Sequence, residues 1–166
     1  MYSRAKILGH PIHPMLVGFP IAFYTATLVA YVAYAITGHT SLFHIGVVAN
    51  CAGVAGAALA AIPGFIDWAF GVPTGHPAKI TGLKHVLLNV GALSLFTLDA
   101  ILQLRHWDTP LAPYAAAVSL AGVGMAFTFG AGVLGWTLVG KHHVGVQPSR
   151  EQQRLEISRT GHPSRP

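Results

Sequence analysis

The sequence predicts an all-α integral membrane protein that folds as an antiparallel four-helix bundle. Hydrophobic residues make up 52% of the 166 residues and charged residues 9%, whereas about 25% of an ordinary soluble domain is charged. The mean hydropathy of the chain, +0.54, is clearly positive. Four apolar stretches reach the length of about 20 residues that a helix needs to cross a hydrocarbon core. Short polar links join these stretches, which makes consecutive helices antiparallel.

The four predicted transmembrane helices occupy residues 14–37, 43–70, 80–104 and 113–139. None of these stretches alternates polar and apolar residues as a strand does, and a helix satisfies its own backbone where lipid offers no hydrogen-bond partner. Residues 1–13 precede the bundle as an amino-terminal segment. Residues 141–166 form a polar tail that we expect to be mobile, with a short helix over residues 147–159.

The first span begins at Pro14, which suits the first position of a helix. A cleaved signal peptide is a competing interpretation, since Arg4 and Lys6 precede the apolar run. That run is longer than the apolar core of a signal peptide, about 7–15 residues, and Pro20 interrupts it. We therefore expect the first span to be a permanent helix.

Small residues recur at every fourth position of the second and fourth spans, which lets helix backbones approach closely inside a membrane. Pro63 and Gly64 are expected to bend the second helix just before Asp67. The rows of small residues are Ala49-Gly53-Ala57-Ala61, Ala52-Gly56-Ala60-Gly64 and Gly122-Ala126-Gly130.

Basic residues are distributed unevenly, and their distribution predicts the orientation of the bundle. All Lys and Arg residues except Arg105 belong to the amino-terminal segment, to the second link and the helix start behind it, or to the tail. Because cytoplasmic loops carry the excess of Lys and Arg, both termini are predicted to be cytoplasmic. The net charge of +5 reflects this topology and attraction to the anionic lipid bilayer. No basic stripe with interleaved aromatic residues predicts nucleic-acid binding.

Histidines and one aspartate collect at the predicted cytoplasmic end of the bundle. His10 and His13 precede the first span, and Asp67 lies at the end of the second. His85 lies in the third span, and His143 follows the fourth. Because a proline pushes the residue before it away from helical geometry, His10 and His13 are expected to be extended. The topology therefore predicts one site to which all four helices contribute.

Imidazole groups are ligands of haem iron, zinc and copper, and helix bundles hold such cofactors between facing helices. His13 and His85 are the best pair for the axial positions of haem b, which would serve electron transfer. A divalent metal ion would instead take His10, His13, His85 and Asp67 as ligands. With His143, these residues are the candidate cofactor-binding set.

Two other interpretations stay open. In a structural or accessory membrane subunit without a cofactor, the histidines would cap helices at the membrane interface. In a proton- or ion-handling protein, ionisable groups inside the spans would mark the pathway, and Asp99 in the third span supports this interpretation. Asn50 in the second span is expected to form an interhelical hydrogen bond with Asp99 if the two face each other. No catalytic triad, paired catalytic carboxylates or metalloprotease motif predicts an enzyme.

A repeated tripeptide suggests an internal duplication. Gly9-His10-Pro11 stands ahead of the first pair of spans, and Gly75-His76-Pro77 stands ahead of the second. Duplicated two-helix units of this kind occur in membrane proteins. The tripeptides would then place equivalent histidines at the same membrane face.

Several motifs also carry a family resemblance. They are HPIHPMLV at residues 10–17, FPI at 19–21, GFIDW at 64–68, His85 with Asn89, GW at 135–136 and HVGV at 143–146. Together, over about residues 9–146, they resemble the bacterial membrane-protein family known as domain of unknown function 2231. The resemblance implies a small four-span protein of the bacterial inner membrane. Because relatives are sometimes joined to cytochrome-type domains, it also implies a redox role, with a respiratory or other redox membrane complex as the partner.

Overall fold

The computed structural model describes residues 3–110, 115–146 and 149–160. Four of its helical segments are long and apolar enough to span a membrane, which confirms the predicted all-α fold class. Pro113, the predicted start of the fourth span, lies outside the described residues, as do Gln147 and residues 161–166 of the predicted tail. The elements in chain order are β1 (Lys6–Ile7), β2 (His10–Pro11), α1 (Ile12–Leu16), α2 (Gly18–Thr37), α3 (Thr40–Ile66), a π-helical turn (Asp67–Gly71), α4 (Pro77–Leu104), α5 (Ala115–Gly140) and α6 (Arg150–Thr160).

The bundle consists of two helical hairpins. Helix α2 packs along α3, and α4 packs along α5; contacts of α3 with α4 and of α2 with α5 close the bundle. At the centre, the ring of Tyr24 stacks on the ring of Phe96, with centroids 3.6 Å apart and planes 3° apart. Gly53 on α3 lies against Tyr24, and Gly124 on α5 lies against Phe96. Glycines in the helices thus make room for the aromatic rings of the core.

Replacement of Gly124 by alanine is expected to lower the free energy of unfolding in detergent by about 1–3 kcal/mol, because a core without space must shift to admit a methyl group. The new Cβ would lie 2.6 Å from Cε2 of Phe96, and that ring is fully buried. Gly132→Ala is the matched control on the same helix, since a Cβ there meets nothing within 4 Å. The control is expected to unfold at the wild-type temperature or above it. An equal loss of unfolding free energy in the two variants would contradict the close contact of Gly124 with Phe96.

The amino-terminal segment folds into a small hairpin, which the sequence did not predict. β1 pairs with β2 in antiparallel register, with Lys6 opposite Pro11 and Ile7 opposite His10. Leu8 and Gly9 both have positive φ, 48° and 83°, as a tight two-residue hairpin turn requires. The hairpin precedes α1 directly, so the chain enters the bundle in a fixed direction.

The link between the second and third spans is tied together by Lys79. Helix α3 contains Pro63 and Gly64, continues to Ile66 and then widens into the π-helical turn. The ammonium group of Lys79 donates hydrogen bonds to the backbone oxygens of Trp68, Ala69 and Val72, at 2.6, 3.0 and 3.2 Å. The indole N–H of Trp68 donates in return to the Lys79 carbonyl at 3.0 Å. Lys79 therefore satisfies carbonyls at the end of the second span that the wider turn leaves without helical partners.

Helix α4 begins three residues before its predicted start because His76 and Pro77 form a favourable helix entry. The Nδ1 atom of His76 accepts a hydrogen bond from the Ala78 backbone N–H at 3.1 Å. Pro77 occupies the first helical position, where its missing N–H costs nothing.

Candidate functional site

His13 lies in the short helix α1, at the end of the bundle that carries the amino-terminal hairpin. The expectation of an extended conformation was wrong for this residue, since Ile12–Leu16 is helical. Its Nδ1 lies 2.8 Å from the carbonyl oxygen of Ala60 on α3. That tertiary hydrogen bond outweighs the local preference imposed by Pro14. A Cβ on Gly64 would lie 2.7 Å from Nδ1, so glycine at this position is what admits the ring.

His85 occupies the matching position in the second helical hairpin. Its Nδ1 lies 2.8 Å from the carbonyl oxygen of Ala131 on α5. A Cβ on Gly135 would lie 3.2 Å from Cε1 of the ring, a tight contact that glycine avoids. The amide of Asn89 lies 3.1 Å from Nε2 and also donates to the His85 carbonyl at 2.8 Å. The ring is therefore held on both of its nitrogens.

The two imidazoles form a pair across the bundle. Their centroids are 6.3 Å apart, and their planes are nearly perpendicular, at 89°. Because a carbonyl oxygen only accepts hydrogen bonds, the Nδ1 atom of each ring must carry a proton and donate it. A neutral ring of this tautomer has its lone pair on Nε2, which is the form that binds a metal. In His85 that lone pair faces the Asn89 amide.

The contacts of the two hairpins repeat along the chain. The rings recur with one step in residue number, and their partners on the neighbouring helix recur with a step that is one residue shorter. The step from His13 to His85 equals the step from Tyr24 to Phe96, and the step from Ala60 to Ala131 equals that from Gly64 to Gly135. The glycine partners of Tyr24 and Phe96 follow the second step as well. These contacts indicate a duplicated two-helix unit in which His13 corresponds to His85.

This register is not the one that the repeated tripeptide suggested. His10 is an exposed residue of β2, whereas His76 caps the start of α4. The two Gly-His-Pro sequences therefore occupy different environments. The residues that do correspond, His13 and His85, share a contact pattern and lie in unlike local sequences.

Asp67 anchors the amino-terminal segment. Its carboxylate accepts hydrogen bonds from the Ser3 hydroxyl at 2.8 and 3.0 Å, from the Arg4 backbone N–H at 2.6 Å and from the Ala5 backbone N–H at 2.9 Å. The Ala5 carbonyl then accepts from the Ile12 N–H at 3.0 Å. Asp67 thus holds the start of the chain against the end of the second span.

The predicted metal ligands are not assembled into one centre. His10 lies on the exposed side of the hairpin, and Asp67 is occupied by the amino-terminal backbone. His143 is exposed after the end of α5, in a left-handed conformation with φ 51°. Within residues 3–110, 115–146 and 149–160, no group of three or more His, Cys, Asp or Glu side chains is arranged to hold a metal ion. Of the five candidate residues, the structure brings His13 and His85 together.

A second histidine pair lies where α4 begins and α5 ends, and the sequence analysis did not identify it. The rings of His76 and His142 have centroids 5.8 Å apart, with planes at 81°. Desolvation by burial, followed by the charges of His76 and Lys141, holds the pKa of His142 below its ordinary value. His142 also lies 3.5 Å from the Thr81 hydroxyl. His76 was the sequence signal for this pair, because it caps α4 at the end of the bundle where the chain leaves α5.

The comparisons with known proteins agree with the fold. No curated protein and no solved structure matches the chain. The family model described as "Predicted membrane protein (DUF2231)" matches residues 9–148, which include all four helical spans and both residues of the imidazole pair. This match covers most of the chain. The protein is a member of the DUF2231 family of membrane proteins.

Proposed function

We propose that this membrane protein binds one haem b through His13 and His85 and serves electron transfer. The observation that carries the proposal is the geometry of the imidazole pair, with centroids 6.3 Å apart and both Nδ1 atoms bonded to backbone carbonyls. Two imidazoles that bind one ion through nitrogen, at about 2 Å each, have ring centroids roughly 6 Å apart. The separation in the bundle fits that arrangement.

The number of ligands favours haem over a free metal ion. A structural zinc ion takes four protein ligands and a catalytic one takes three, whereas the described residues offer a pair. Haem iron already has four porphyrin nitrogens, so a pair of histidines would complete its coordination. Haem, when bound, would supply a one-electron carrier.

The surroundings of the pair would fix both ligands before a cofactor arrives. Histidines that bind metals commonly donate their second ring N–H to a carbonyl or carboxylate, which sets the tautomer and the ring orientation. Ala60 and Ala131 provide those carbonyls. Gly64 and Gly135 admit the two rings, since a Cβ at either position would press against the imidazole. The donor atoms of the two histidines therefore suit a haem iron.

The location that we propose is the bacterial inner membrane, with both termini and the imidazole pair towards the cytoplasm. The proposal rests on the concentration of Lys and Arg at this end of the bundle. Electron transfer at this site needs a redox partner, and we propose a respiratory or other redox membrane complex.

The second candidate is a structural or accessory subunit without a cofactor. Each Nδ1 already satisfies a backbone carbonyl, and Asn89 occupies Nε2 of His85. In that case the two histidines would only join α1 to α3 and α4 to α5. This function requires no ligand.

Titration of the purified protein with haemin in detergent separates the two candidates. The proposal predicts saturation at one haem per chain, with a sharp Soret band typical of a six-coordinate low-spin haem. His44→Ala is the matched control, because His44 stacks on Trp107 at the other end of the bundle and bonds to its carbonyl. A protein that stays colourless, or that takes up haem without saturation, would support the accessory-subunit function instead.

A further inference from the structure

We propose that Asp99 is a buried proton-binding site in the half of the bundle away from the imidazole pair, with one H⁺ as its ligand. The side chain of Asp99 is fully buried on α4, as are Asn50 on α3 and Tyr31 on α2. The proposal does not depend on haem binding.

Both carboxyl oxygens of Asp99 face amide groups. Oδ2 lies 2.8 Å from the Asn50 side-chain nitrogen, which confirms the predicted interhelical hydrogen bond. Oδ1 lies 3.1 Å from the side-chain nitrogen of Gln103, one turn further along α4. Amide groups bring no positive charge, so these contacts leave the charge of an ionised carboxylate uncompensated.

The helices around Asp99 contain no cationic side chain near it. There is no Lys or Arg in α2, α3 or α5, and those of α4 are Lys79 and Lys84, near its start. Arg105, which directly follows α4, is exposed. His44, at the start of α3, bonds to the Trp107 carbonyl at 2.9 Å. The titratable side chains on these helices are Tyr24, Tyr31 and Tyr34 on α2, His44 and Cys51 on α3, Lys79, Lys84, His85 and Asp99 on α4, and none on α5.

An isolated ionised carboxylate is far more costly to bury in an apolar medium than a neutral acid. Asp99 must therefore acquire a cation or a proton. Hard metal cations need about six or more oxygen ligands, and the buried side-chain oxygens of this cluster belong to Asp99, Asn50, Gln103 and Tyr31, which is fewer. The small number of oxygens favours a proton.

Two buried polar atoms beside Asp99 mark where the proton would be accommodated. Within residues 3–110, 115–146 and 149–160, the Asn50 side-chain oxygen and the Tyr31 hydroxyl make no hydrogen bond of standard geometry. The Tyr31 ring packs on Gly46, one turn before Asn50. A protonated carboxyl group needs an acceptor. Rotation of the Asn50 amide by half a turn would present its oxygen to Asp99 at the position where its nitrogen now lies.

Asn50 would thus be the positioning residue of the site. With its nitrogen towards Asp99 it donates to a carboxylate, and with its oxygen towards Asp99 it accepts the proton of a carboxylic acid. The two orientations of one amide correspond to the empty and the loaded state.

Infrared difference spectroscopy of the protein in lipid vesicles tests the proposal. At neutral pH we expect one C=O stretching band of a protonated carboxylic acid, which shifts in D₂O and is absent from Asp99→Asn. This variant keeps the shape of the side chain and is expected to fold. Asp108→Asn is the matched control, since Asp108 is exposed, and it is expected to keep the band.

Asn50→Ala provides a second measurement that does not require the Asp99 variant to fold. The band is expected to remain and to move to higher frequency, because the acid has lost its acceptor. A role of Asn50 in packing alone would leave the frequency unchanged and would overturn the positioning role. Absence of the band from the wild-type protein, its persistence in Asp99→Asn, or its loss on addition of Na⁺ would each overturn the proton-binding site.

Discussion

Replacement of His85 by alanine is expected to weaken haem binding by more than the 10–100-fold that loss of an outer partner of a metal ligand costs. The substitution removes one of the two nitrogens that we assign to the iron and leaves the Ala131 carbonyl without its donor. His13→Ala is expected to have an effect of the same size, because His13 has the same contacts in the first hairpin. Haemin titration followed at the Soret band measures both effects.

Asn89→Ala gives a second test of this prediction. The Asn89 amide lies against Nε2 of His85, the nitrogen that we assign to the iron, and must leave it before haem binds. We therefore expect the haem affinity of Asn89→Ala to equal or exceed that of the wild-type protein. Thermal unfolding of each apoprotein shows whether the fold survives the substitution. Equal haem affinity for the wild-type protein, His13→Ala and His85→Ala would exclude the pair as the ligands.

Asp67→Ala is expected to lower the free energy of unfolding by roughly 2–4 kcal/mol, because hydrogen bonds to a charged group stabilise more than neutral ones. The carboxylate accepts from the Ser3 hydroxyl and from two backbone N–H groups of the amino-terminal segment. Without it, these donors lose their partner and the hairpin is released from the bundle. Unfolding in mixed micelles measures the loss, and proteolysis after Lys6 reports the release.

Two variants calibrate the Asp67 prediction. Asp67→Asn keeps one oxygen acceptor and is expected to lose less stability than Asp67→Ala. Asp108→Ala removes an exposed carboxylate and is expected to change stability by less than 0.5 kcal/mol, as is usual for surface positions. Wild-type stability and protease resistance in Asp67→Ala would show that the anchor contributes nothing.

The fold was predictable because the bilayer imposes strong constraints on a sequence. Lipid makes long apolar runs helical, so the four spans followed from composition and length, and most of their ends fell within three residues of the prediction. The amino-terminal hairpin and the π-helical turn were not predictable in this way. Both depend on tertiary hydrogen bonds, those of Asp67 and Lys79, to backbone atoms that have no signature in the sequence.

The candidate site was predictable in part. The topology places His13 and His85 at the same end of the bundle, and the structure brings their rings together. Asp67 was expected beside them because it lies at the same end of the bundle. Its partners are instead the Ser3 hydroxyl and backbone N–H groups, which every residue type but proline carries. The correspondence of His13 with His85 was hidden because one precedes a proline in a short helix and the other lies inside a long one.

The electron paramagnetic resonance spectrum of the ferric, haem-loaded protein tests the central claim most directly, because it reports both the axial ligands and the angle between their planes. Two imidazoles at 89° predict a low-spin signal of the highly anisotropic kind that perpendicular axial histidines produce. The signal should be absent from His13→Ala and His85→Ala and present in His44→Ala. A high-spin signal in the wild-type protein, or a low-spin signal that survives in both histidine variants, would contradict haem ligation by this pair.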